Sequence, residues 1–161
     1  MADQEVDTEN LHEMIHERTG HVQWAEKVAL TTALLAVMAA VSNLMSTHEA
    51  DRALERKIEA SDRWAFYQAK SIKEVVTSDP QEKARYGHEE EQIRKEAEES
   101  TDESKHARHI HLFFAYAVTI FQVATAIGAI AVLVKKRMFW YTSIGLGVLG
   151  IALVVKAILL F

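Results

Sequence analysis

Charge in this 161-residue chain is segregated into blocks, and that limits the folds open to it more than any other feature. Residues 28–47, 112–134 and 138–155 contain no Asp, Glu, Lys or Arg. The segment 46–111 holds 16 acidic and 12 basic residues. A globule with a mixed surface does not divide this way. Alternating lipid-facing and water-facing blocks do.

The first apolar block, VALTTALLAVMAAVSNLM at 28–45, would span about 27 Å as a helix, close to the hydrocarbon thickness of a bilayer. Trp24 stands just before it, where an interfacial aromatic belongs. The second block, 112–134, is 23 residues without a charge. The basic triplet KKR at 135–137 follows, and a third block runs over 138–161 with Lys156 near its end, close enough to snorkel. Blocks two and three predict a tight transmembrane hairpin. Residues 1–27 carry seven acids against two Lys/Arg and predict an acidic arm with a short amphipathic helix from about Thr8. An acidic start and a late apolar block do not fit a secretory signal peptide.

Between blocks one and two the chain has good helix formers and a single break, TSDPQE at 77–82. Asp79 is placed to cap a helix, Pro80 to occupy its first position and Glu82 to complete a capping box. The flanking arms, 46–78 and 81–111, would be about 50 and 47 Å long, so a turn at 77–81 brings one back along the other. The expectation is an all-α integral membrane protein: three spans, with a long antiparallel helical hairpin, coiled-coil-like, between the first two. Glu59–Arg63, Glu90–Arg94 and Glu91–Lys95 have the favourable i,i+4 order. The expected seam takes Leu54, Ile58, Ser61, Ala65, Gln68, Ile72 and Val75 from the outgoing arm. The returning arm offers Tyr86, Ile93, Ala97, Ser100, Ser104 and Ala107. That seam is poor in large apolar residues, so the hairpin is expected to pack against further copies of itself. Trp64, Phe66 and Tyr67 point in different directions and, with Gln68 and Lys70, form a candidate contact site for another copy or a protein partner.

Two motifs suggest chemistry and are rejected on context. HEMIH at 12–16 has the zincin spacing, with His12 and His16 as ligands and His21 as the nearest third. It lies in an acidic arm with no domain to enclose a cleft, and reads as a solvated helix face with at most incidental metal binding. GLGVLG at 145–150 lacks the strand–helix setting of a dinucleotide fingerprint and lies inside an apolar span. Small and polar residues on the spans read as packing surfaces of a bundle: Ala36, Asn43, Gln122, Gly128, Ser143, Gly147 and Gly150. His48, His106, His109 and His111 would meet at the membrane level of the hairpin and read as interfacial residues. No Cys is present, which removes disulfides and thiol nucleophiles. The net charge of -5 argues against nucleic-acid binding. The spans hold no Asp or Glu, unlike most coupled transporters; a pore lined by Asn43 or Gln122 is the alternative function. No cofactor and no enzymatic activity are expected.

EASDRWAFYQAKSIKE at 59–74, HEMIHE near the start and KKRMFWYTS before the last span resemble a bacterial membrane-protein family known as domain of unknown function 4337. The resemblance covers essentially the whole chain. It implies a three-span inner-membrane protein with a helical insert, and it supplies no activity or catalytic residue. The short basic loop at 135–137 predicts that this loop and the N-terminus face the cytoplasm, with the hairpin outside.

Overall fold

A computed structural model describes the backbone of residues 8–160 and the side chains of residues 19–20 and 22–160. The fold is all-α. Helices α1 (Thr8–Val76), α2 (Pro80–Val134) and α3 (Arg137–Leu159) pack antiparallel in succession. The break between α1 and α2 follows the capping chemistry. The amide of Gln81 donates to Asp79 Oδ1 at 2.9 Å, and the amide of Lys83 donates to the Asp79 carbonyl at 3.0 Å. Glu82 does not turn back to its cap; its carboxylate accepts from the Thr77 hydroxyl at 3.1 Å. The second break is shorter still. Lys135 takes the left-handed conformation, φ 56°, and α3 starts two residues later.

The molecule divides into two compact units, Met1–Val41 with Ala117–Ala152, and Ser42–Tyr116 with Leu153–Phe161. In the first, all three helices meet where side chains are smallest. Gly128 is buried, and a Cβ there would collide with Thr32 Cγ2 of α1 and lie 3.1 Å from Ser143 Oγ of α3. A Cβ on Gly150 would lie 2.7 Å from the Phe121 ring, and one on Gly147 2.7 Å from Leu35. Close approach is paired with polar satisfaction: the buried Ser143 hydroxyl donates to the Ala124 carbonyl at 2.7 Å, and Trp140 Nε1 donates to Thr31 Oγ1 at 3.1 Å. Trp24, Val28 and Ala131 form a small core capped by Phe139 and Trp140.

All three helices are long and apolar enough to cross a membrane. The protein covers little of that apolar surface itself: 11 % of the window on α1, 33 % on α2 and 22 % on α3 is buried.

In the second unit α1 and α2 run side by side. Ser46 pairs with His111, Ala53 with Ser104, Arg56 with Glu103, Arg63 with Glu96 and Lys70 with Glu89. The members of each pair stand equally far from residue 79, to within one position, so the register stays constant along the arms. The seam corrects one expectation. On α2, Ala97, Ser100 and Ala107 are buried as expected, with Tyr86, Ile93 and Ser104 half-buried. On α1 the inward residues are Ser42, Ser46, Glu49, Ala53, Arg56, Ala60, Arg63, Tyr67, Lys70 and Glu74. The expected stripe is turned outward: Leu54 is 58 % exposed, Ile58 56 %, Ile72 64 % and Val75 78 %. Both stripes have heptad spacing, and they lie about 150° apart, on nearly opposite faces of the helix. The inner one wins because its alanines and serines let the backbones approach the small residues of α2. Its arginines and Lys70 also reach Glu89, Glu96 and Glu103 across the gap.

Candidate interaction surface

Three features of the second unit face outward or remain open. The first is the apolar stripe on α1, three heptads of uncharged residues from Leu54 to Val75 with no cover from α2. Exposed large apolar groups scattered singly are ordinary; here they recur at heptad spacing.

The second feature is the aromatic cluster. Trp64 and Tyr67 turn toward α2. Trp64 Nε1 donates to Thr101 Oγ1 at 3.4 Å, and the two rings meet edge-on at 5.5 Å. Lys70 pairs with Glu89 and lies 5.3 Å from the centre of the Tyr86 ring. Phe66, 61 % exposed, and Gln68, also exposed, point away from the seam. Three of the five candidate contact residues are thus occupied within the hairpin, and two are open.

The third feature is a groove of about 610 Å3 between the arms. Ala53, Leu54, Ala60 and Trp64 supply its apolar wall, and Lys57, Lys105 and Arg108 its charge; no acidic residue lines it. Lys105 pairs with Asp102 at 2.9 Å.

The register sets His48 level with His109 and His111, but each ring has a different partner. His111 Nδ1 donates to the Ser46 carbonyl at 2.8 Å, and His106 Nε2 donates to the Leu160 carbonyl at 3.1 Å. His109 stacks edge-on with Phe113, and His48 Nδ1 lies 3.2 Å from Glu49 Oε1. No three His, Asp or Glu side chains converge among the described residues. His12, His16 and His21 lie outside the described side chains. Of the span residues, Gly128, Ser143, Gly147 and Gly150 are buried at helix contacts, whereas Ala36, Asn43 and Gln122 are exposed.

The electrostatics of the seam are uneven. Hydrogen bonds from Arg63 and Arg56 hold Glu59 below the ordinary carboxylate value, Lys70 does the same to Glu89, and Arg94 to Glu91. Arg94 pairs with Glu91 and Glu98 and not with Glu90, as its spacing would suggest. Glu90 instead faces α1, where its hydrogen bonds push the Tyr67 phenol and the Glu74 carboxyl up.

The family model described as Domain of unknown function (DUF4337) matches residues 24–82 and 76–160. The chain belongs to this family. No curated protein and no solved structure matches it. The DUF4337 match takes in the apolar windows, the seam and the outward stripe together. Sequence reasoning missed two features of this DUF4337 protein. One is Glu49, a carboxylate 1 % exposed on the inner face of α1. The other is the cationic groove, whose residues come from two arms, with Trp64 and Thr101 the nearest in sequence across them. The heptad run Ser42–Ser46–Glu49–Ala53 carried the signal for the first; the second becomes visible only once the register is fixed.

Proposed function

We propose that this DUF4337 protein is a multi-pass integral membrane protein that works by assembly, as a homo-oligomeric scaffold or partner-binding subunit, and not as an enzyme. The carrying observation is the outward stripe Leu54–Ile58–Ser61–Ala65–Gln68–Ile72–Val75. Four large aliphatic side chains along it are each more than half exposed. Copies of α1 meeting along the stripe would bury it without disturbing the seam. The apolar windows, mostly uncovered by protein, support placement in lipid, with the hairpin 46–111 as an extramembrane stalk. The stripe is tested by mass measurement of the protein in mild detergent. The unmodified chain should run as a defined oligomer, and Ile58→Glu with Ile72→Glu should run as monomer. A monomeric unmodified chain would remove the proposal. Phe66, exposed away from the stripe, offers a separate surface for a different protein.

A second reading is favoured by Asn43 and Gln122, two amides exposed on otherwise apolar surface. Amides facing lipid are costly, and an oligomer could turn them to a pore. Liposomes carrying the protein should then pass ions, and Asn43→Leu or Gln122→Leu should alter the flux. Absence of flux would exclude this reading.

A further inference from the structure

We infer that the outward face of α1 pairs with one second copy, the two helices parallel and in register, with Lys57 of each chain against Asp62 of the other. This rests on the assembly proposed above and adds to it the copy number, the direction and the residues that set them. The stripe from Leu54 to Val75 has the form of a coiled-coil seam about 32 Å long. Ile58, Ala65 and Ile72 take one core position of its heptads, and Leu54, Ser61, Gln68 and Val75 take the other. Branched Ile at the first, with Leu54 at the second, favours two strands. Gln68 is the one amide in the stripe. In register it meets the partner's Gln68, and each amide finds both a donor and an acceptor. A slip of one heptad would set it against Val75 and leave it unpaired.

The flanks of the stripe decide copy number and direction. Lys57, Trp64 and Ser71 border it on one side, Glu55, Asp62 and Ala69 on the other. Trp64 and Ser71 are half-buried, and Trp64 donates to Thr101 of α2, so a third α1 would have to share that side with the hairpin's own second arm. The same side holds the groove whose charges are Lys57, Lys105 and Arg108, with no acid. The opposite side carries Glu55 and Asp62, both exposed. Lys57, Glu55 and Asp62 form no ion pair with a described residue. Parallel helices bring the basic side of each chain to the acidic side of its partner, which sets Lys57 against the partner's Asp62 twice by symmetry. Antiparallel helices would instead bring Glu55 and Asp62 of one chain to the same acids of the other. Copies inserted in one membrane in the same sense also run parallel.

Native mass measurement of the full chain in mild detergent should give two copies. Lys57→Glu and Asp62→Lys, each alone, should weaken the dimer about tenfold, since like charges then face each other at two symmetric places. Chains of the two variants, mixed, should pair with one another and recover the original affinity, because both cross-chain pairs are then restored. An effect confined to one chain would not recover on mixing. Gln68→Cys, in a chain otherwise free of Cys, should oxidise to a dimer, and Leu54→Cys mixed with Val75→Cys should give no mixed band. Circular dichroism checks the helicity of each variant, and where a charge variant loses it the thiol bands decide. Three or more copies, single variants without effect, mixtures that fail to recover, or a band joining positions 54 and 75 would each overturn the inference and leave assembly along the stripe standing. A monomeric unmodified chain would remove both.

Discussion

Glu74 shows how much a single carboxyl can depend on what α2 places opposite it. Glu90 shares a hydrogen bond with it and repels its charged form, Lys83 pulls the other way more weakly, and the net effect is to raise Glu74 above 4.5. A raised acid binds its proton more tightly when folded. Its stabilising share is therefore complete below the ordinary value and is lost as pH rises through the folded value. Glu59, Glu89 and Glu91 behave oppositely: their contribution is present above 4.5 and is lost as pH falls through their lowered folded values. Glu74→Gln should thus raise the thermal unfolding midpoint at pH 7, with the advantage vanishing below about pH 4.5, checked by circular dichroism across pH in detergent. In the first unit the sensitive residue is Gly128. Gly128→Ala forces a methyl into Thr32 and should cost about 1–3 kcal/mol in detergent unfolding, whereas the same change at Gly145, open on its outer side, should cost nothing measurable. Gly128 and Gly145 both stand inside apolar stretches, and composition does not separate them. Only the crossing of three helices does.

Helix boundaries were legible because they are local. Asp79 and Pro80 start α2 where capping rules place it, and the basic triplet marks the turn into α3. The face of α1 was not legible. Two heptad stripes compete, and the apolar pattern favours Leu54, Ile58, Ile72 and Val75. The structure puts those outside, since close approach of small residues and cross-arm ion pairs select the other stripe. Packing should outweigh charge within that seam. Arg63→Ala removes partly exposed ion pairs to Glu59 and Glu96 and should barely move the unfolding midpoint. Ala60→Leu forces a larger side chain into a buried seam position and should cost about 1–3 kcal/mol. The register is checked with engineered thiols, made clean by the absence of Cys. Ala53→Cys with Ser104→Cys should oxidise within one chain, since Ser104 Oγ reaches the Ala53 carbonyl at 2.8 Å. Intermolecular bands alone on non-reducing gels would refute that register.

For the molecule as a whole, the basic loop 135–137 gives the orientation its test. With that loop in the cytoplasm, Ser78→Cys should react with an impermeant maleimide on intact cells and Lys136→Cys should react only after lysis. Reversed labelling would invert the topology while leaving both units intact. The chain's contrast of faces also predicts a response to its medium. The seam of α1 is charged and its outer stripe is hydrocarbon, so dissolved ions act on the two in opposite senses. Screening weakens attraction between partly exposed charges, and excluded salts such as sulfate strengthen oily contacts. Brine therefore loosens the grip of one arm on the other while drawing separate chains together.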